Sequence, residues 1–178
     1  QHLSTRRQRQ MCIRDSPEYI DSIFGQQSDE FWKLHRDRIH GVLSNLPEEL
    51  KDRKDLFRQI IPNVAGWVLE YAGPEVRSDR DILRLAIEAD ETHNYAPSAL
   101  EYAAPEVFED REFLEEVLTR QKAEYYNLPQ TLKTDRELLK IVLKQGLDLP
   151  EEASTDRELV EIYVASVSYT HLTLPTSG

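Results

Sequence analysis

Val68–Leu83 reads VLEYAGPEVRSDRDIL, and Ala99–Leu114 reads ALEYAAPEVFEDREFL. Aligned without a gap, ten of these sixteen positions agree, from Leu69/Leu100 through Tyr71/Tyr102 and Asp79/Asp110 to Leu83/Leu114. Degraded copies lie on both sides. The recurring order is Pro-Glu, a short turn, Asp-Arg, then an apolar run. The Asp-Arg pairs are Asp52-Arg53, Asp79-Arg80, Asp110-Arg111, Asp135-Arg136 and Asp156-Arg157, spaced by 27, 31, 25 and 21 residues. Each follows a proline: Pro47, Pro74, Pro105, Pro129 and Pro150. Self-similarity at such a period marks a stacked array rather than a fold with a single hub.

Each copy carries its own start signal. Thr134-Asp135-Arg136-Glu137 and Thr155-Asp156-Arg157-Glu158 fit the capping box, in which the Thr oxygen accepts from a first-turn N–H and Glu reaches back to the cap. Ser78 with Asp81 is the same device with a shorter acid, and Asp52 and Asp110 are the candidate caps elsewhere. On this reading the Thr134 hydroxyl contributes on the order of 1 kcal/mol. After each cap, apolar residues come as two doublets four apart, as in Leu56/Phe57 and Ile60/Ile61 or Leu138/Leu139 and Val142/Leu143. A stripe two turns long is marginal as an isolated helix and must be buried against neighbours. Shorter return helices are expected at Trp67–Ala72 and Ser98–Ala103. Gly146 should stop one long helix, with Leu147–Ala153 returning. No strand-like alternation persists.

The expected fold is therefore all-α: tandem short helix-turn-helix repeats stacked as a small solenoid-like array. It spans residues 47–166, with units starting near 47, 74, 105, 129 and 150. Residues 17–46 form an N-terminal helical cap, whose helix begins at Ser28 and carries Phe31, Leu34, His35, Ile39, Val42 and Leu43 at helical spacing.

These residues resemble the repeats of a family known as domain of unknown function 4116. Its units read Leu-x-x-Ala-x-x-x-Leu/Val-x-x-Asp-(Arg/Lys)-Glu-Leu-Leu, followed by an apolar helix. Leu100-Glu101-Tyr102-Ala103 leading to Val107 and Asp110-Arg111-Glu112 carries the resemblance. So does Leu132 with Asp135-Arg136-Glu137-Leu138-Leu139. It covers roughly Pro47 to Val164. The family often ends the first helix with Gly, whereas here only Gly146 does so, and Asp90–Pro97 is an insert. The resemblance implies a helical tandem array and no activity, cofactor or catalytic residue.

The two ends read differently. A DNA string that encodes Arg6–Ser16 also encodes Val167–Thr176 on its complementary strand. Both ends resemble translated sequencing adapter, so residues 1–16 and 167–178 are treated as non-native tails on a gene fragment and set aside from the fold. Without Arg6, Arg7, Arg9, Arg14 and Asp15, the 22 basic and 33 acidic residues become 18 and 32, and the net charge of −11 becomes −14. The only Cys and Met, Cys12 and Met11, also fall in a tail. The remainder has no thiol for disulfides, metal ligation or nucleophilic attack. About 150 residues suffices for one core. No apolar run approaches the roughly 20 residues of a membrane span. So acidic a surface disfavours nucleic acid and anionic membrane and favours a basic protein partner. The location is not fixed by the sequence, and the cytoplasm is favoured.

Candidate sites are few. The Asp-Arg pairs fit capping plus an ion pair between repeats better than a charged binding face. Trp67, Tyr71, Tyr102, Tyr125 and Tyr126 could form an aromatic ridge for a partner protein, since Tyr and Trp anchor interfaces. Packing between repeats, with the hydroxyl at the surface, is the simpler reading. His35 and His40 stand five apart, where a helical metal pair needs four. No catalytic residue, cofactor or metal is expected. The functional expectation is a non-catalytic helical repeat module that scaffolds another protein. The alternative is an accessory repeat region of a larger enzyme or effector.

Overall fold

The structure is a computed structural model that describes residues 36–93 and 98–170. The expected helix start at Ser28, with Phe31, Leu34 and His35, lies outside these residues, as do residues 1–16 and 171–178. All regular structure among the described residues is α- or 3₁₀-helical, with no strand. They divide into two compact lobes, one ending at Ala104 and the other beginning at Pro105. The first holds α1 (Arg36–Leu43), α2 (Glu48–Lys51), α3 (Lys54–Val64), α4 (Pro74–Arg77) and α5 (Arg80–His93). The second holds α6 (Arg111–Arg120), α7 (Gln130–Lys133), α8 (Arg136–Lys144) and α9 (Arg157–Thr170). Helix α9 passes without a break through the Ser166–Val167 boundary set in the sequence.

The long helices α3, α5, α6 and α8 bury their doublets. Leu56, Phe57, Ile60 and Ile61 are buried in α3, and Leu138, Leu139, Val142 and Leu143 in α8. Burial of each large side chain contributes about 1.5–3 kcal/mol. In the first lobe α3 packs on α5; in the second, α8 packs on both α6 and α9. The return segments are 3₁₀ rather than α: Gly66–Tyr71, Ala99–Tyr102, Pro105–Glu109, Lys122–Asn127 and Glu151–Ala153. Each is confined between a helix end and the next proline or cap. Such short pieces are where the tighter helix is found. Ser98 caps one of them, accepting from the Leu100 N–H at 3.2 Å. Gly146 closes α8 in the left-handed region (φ 77°), with its own N–H on the Leu143 carbonyl and that of Leu147 on the Val142 carbonyl.

The caps correct the capping-box reading. Asp135 Oδ1, not Thr134, accepts from the N–H groups of Glu137 and Leu138, both at 3.0 Å. Asp156, not Thr155, accepts from Glu158 and Leu159. Asp79, not Ser78, accepts from Asp81 and Ile82. Asp110 accepts from Phe113. For Ser78 and Thr134 the reason is the four-residue helix ahead of α5 and of α8. Ser78 and Thr134 are the C-caps of α4 and α7, held in the right-handed helical region. An N-cap needs an extended backbone. Their hydroxyls instead donate back to the carbonyls of Glu75 and Thr131.

Asp52 is also corrected. It is the C-cap of α2, and the N-cap of α3 is Arg53, which makes no side-chain cap bond. The true equivalents are therefore Arg53, Asp79, Asp110, Asp135 and Asp156, each three and four residues ahead of a first doublet. Asp52 reaches across the lobe instead, accepting from the Glu75 N–H at 2.9 Å. It lies so close to Gly73 that a Cβ there would sit 2.2 Å from its Oδ1. This accounts for Gly73 where the second copy has Ala104. The two share a backbone link: Gly73 N–H donates to the Lys51 carbonyl at 2.8 Å, and Ala104 N–H to that of Arg77 at 3.0 Å.

Urea melts of two single variants separate the caps. Asp135→Ala should lower stability by about 1–2 kcal/mol. Thr134→Ala, at an exposed C-cap, should stay within about 0.5 kcal/mol of the parent.

Candidate functional site

The cap aspartates face two ways. Besides its own first turn, each of Asp79, Asp135 and Asp156 receives the cation at the first position of the preceding long helix. In the first lobe Lys54 Nζ lies 2.8 Å from Asp79. In the second, Arg111 grips Asp135 through two bonds of 2.7 and 2.9 Å. Arg136 reaches Asp156 at 2.8 Å and Glu158 at 2.7 Å. Lys140 adds a bond to Glu158 at 2.8 Å. Arg80 occupies the same first position of α5. Arg157 pairs with Glu161 of its own helix at 2.8 Å.

These contacts set the ionisation. The Arg111 guanidinium, opposed by burial and aided by the Leu138 and Glu137 N–H groups, holds the Asp135 carboxyl below its ordinary value. Arg136 does the same for Asp156. At Asp79 burial resists ionisation, and Lys54 with the Ile82 N–H overcomes it.

The five aromatic candidates do not form one exposed ridge. Trp67 is buried, and its indole N–H donates to the Val64 carbonyl at 2.9 Å. Tyr71 is half-buried, with its hydroxyl 2.8 Å from His40 Nε2 and its ring edge-on to the His40 and Trp67 rings. Tyr102 is half-buried, and burial beside Glu70 and Glu101 raises its hydroxyl pKa. Tyr125 is buried and donates to the Lys133 carbonyl at 2.8 Å. Only Tyr126, 59% exposed, faces solvent. Register explains the difference. Tyr125 stands ten residues ahead of its N-cap, as Leu69 and Leu100 do, so it fills a core position. Tyr126 takes the outward place of Glu70 and Glu101.

Tyr125 and Tyr126 line a groove of about 640 Å³ within the second lobe. Leu139, Ala153 and Leu159 give it an apolar floor, and Asp148 and Glu152 stand at its rim. The cations that line it are engaged: Lys133 donates to the Tyr126 carbonyl at 2.7 Å, and Arg136 is held in the ion pairs above. Asp148 and Glu152 have no ion-pair partner among the described residues.

One polar group was missed in the sequence. Asp90 is buried and accepts from the Gly66 N–H at 2.6 Å and the Ala99 N–H at 2.7 Å. It joins the starts of two 3₁₀ segments. Gly66 leaves it room, since a Cβ there would lie 2.7 Å from both Asp90 Oδ2 and the Ala99 Cβ. Its signal was position: Asp90 continues the buried stripe of α5 one step beyond Ala86 and Ile87. Placing it in an insert hid that. Among the described residues no three His, Cys, Asp or Glu side chains gather as metal ligands, and no helix is long and apolar enough to cross a membrane. Comparison with family models, with curated proteins and with solved structures returned no match.

Acid titration tests the two-way aspartates. Folding lowers their pKa, so near the ordinary carboxyl value of 3.8 the folded chain holds fewer protons than the unfolded chain. Their stabilisation is complete above that value and is lost as pH falls through the lower folded values. Asp135→Asn keeps a good capping side chain and removes the charge. Its urea midpoint should fall less steeply than the parent's below about pH 4, with the two slopes equal near neutrality.

Proposed function

We propose that the chain is a non-catalytic scaffold: a tandem array of short helical repeats, stacked solenoid-fashion, that binds another protein through a basic and apolar segment. The observation that carries this reading is the second-lobe groove. Its aromatic wall includes Tyr126, the exposed member of the tyrosine pair, over an apolar floor. Exposed aromatics beside such a floor are the usual anchors of protein interfaces. Two of its three acids, Asp148 and Glu152, have no ion-pair partner among the described residues while its cations are engaged, so its field favours a cationic partner. The overall charge of −11 acts in the same direction at longer range. The resemblance to domain of unknown function 4116 supports the array part of the proposal. The recurrence of one cap, one cation and two apolar doublets per repeat supports it independently.

The test is affinity capture with the parent chain and with Tyr126→Ala, after circular dichroism has shown equal helicity. A protein held by the parent should be retained at least about tenfold less by the variant, in line with loss of an aromatic anchor. Added salt should weaken capture further. Equal capture by both chains places binding elsewhere. A chain that captures nothing yet turns over a small molecule contradicts the reading.

A further inference from the structure

Helix α9 differs from the other long helices on one face. In α3, α5, α6 and α8 the second member of each doublet, from Phe57 and Ile61 to Leu139 and Leu143, is at most 4% exposed. In α9 the first members are Leu159, buried, and Tyr163, half-buried, while of the second members Val160 is half-buried and Val164 is 55% exposed. Leu159 seals the start of the face toward α8, and the second-member positions Val160 and Val164 are left partly open. The charge pattern is open in the same place. Arg111 and Arg136, at the first position of their helices, each reach the N-cap aspartate of the next long helix. Arg157 holds the same position, is 92% exposed, and pairs within its own helix. Among the described residues, a partly open apolar pair and a cation that meets no aspartate of a following helix thus lie side by side.

We propose that this face of α9 docks one further helical unit of the chain's own kind. That unit places an N-cap aspartate against Arg157 and an apolar doublet against Val160 and Val164. Charge selects this occupant over a second copy of the chain. A copy presenting its first long helix would bring Arg53, its N-cap, toward Arg157, so that like charges meet. This surface is separate from the groove, and the proposal stands whether or not the groove binds a partner.

The experiment duplicates residues 146–166 between Ser166 and Val167 of the full chain. The copied aspartate then follows Asp156 by 21 residues, the spacing from Asp135 to Asp156. Hydrogen exchange should show the α9 amides about tenfold or more better protected than in the parent, because opening α9 then requires undocking the added unit. The urea midpoint should rise. Arg157→Ala in the extended chain should reverse part of both gains. An added segment that exchanges as unstructured chain, while the rest keeps its protection, overturns the proposal.

Val164→Lys provides a second arm. It should leave the parent's urea midpoint nearly unchanged and abolish the gain in the extended chain; equal effects in both overturn the idea. Sedimentation supplies the last outcome. A parent chain that dimerises, and that Val164→Lys returns to monomer, assigns the face to a second copy and contradicts the proposal.

Discussion

At the start of α5, α8 and α9 a single carboxylate does two jobs that depend on each other. Asp135 satisfies the N–H groups of Glu137 and Leu138, which otherwise have no partner in the helix. The same group receives both arms of Arg111 from the preceding long helix. A helix start is thereby tied to the helix before it, and the tie holds only while both are folded. Asp79 with Lys54 and Asp156 with Arg136 repeat the arrangement. Exposed ion pairs are individually weak. Here the acid is held by its own helix before the cation arrives, so less side-chain freedom is lost on pairing.

The rest of the architecture follows from helices too short to stand alone. Helix α8 has nine residues and α6 ten. Isolated helices of that length are marginal, so their doublets must meet neighbours. The four-residue helices α4 and α7 turn the chain onto each cap, and Pro74 and Pro129 set where they begin. In the first lobe a different polar group fixes the return path: Asp90, buried, accepts from Gly66 and Ala99 at the start of two 3₁₀ segments. The second lobe uses a cation for a related end. Lys122 Nζ lies 2.9 Å from the Gln145 carbonyl and 3.1 Å from that of Gly146, at the C-terminus of α8, where helix carbonyls lack partners.

Helix content and the buried doublets were legible because periodicity reports directly on which face must leave water. The stop at Gly146 was legible because the left-handed region favours glycine. Four features were not. The Thr-Asp order at residues 134–135 admits either residue as cap, and only the preceding α7 decides, by holding Thr134 in a helical conformation. The Asp-Arg letters at 52–53 imitate the cap pair one residue out of register. The doublet at Leu56/Phe57 gives the true register, which the spacing of 27 obscured. Tyr125 and Tyr126 look alike in sequence but sit on opposite sides of a 3₁₀ turn, and the position of Asp135 tells them apart. Whether a carboxylate as deep as Asp90 finds two N–H donors depends on residues 24 and 9 positions away, which no local pattern reports.

If the cap aspartate couples successive helices, Arg111 and Asp135 interact in a double-mutant cycle. Arg111→Met removes the cation while keeping an apolar stem, and Asp135→Asn removes the anion while keeping a cap. Urea unfolding of the parent, the two single variants and the double variant gives the interaction alone. The expected coupling is favourable by about 0.5–1 kcal/mol at low salt and shrinks as salt is added. Single effects that add within about 0.3 kcal/mol, with no dependence on salt, would contradict it and leave the aspartate as a cap and nothing more.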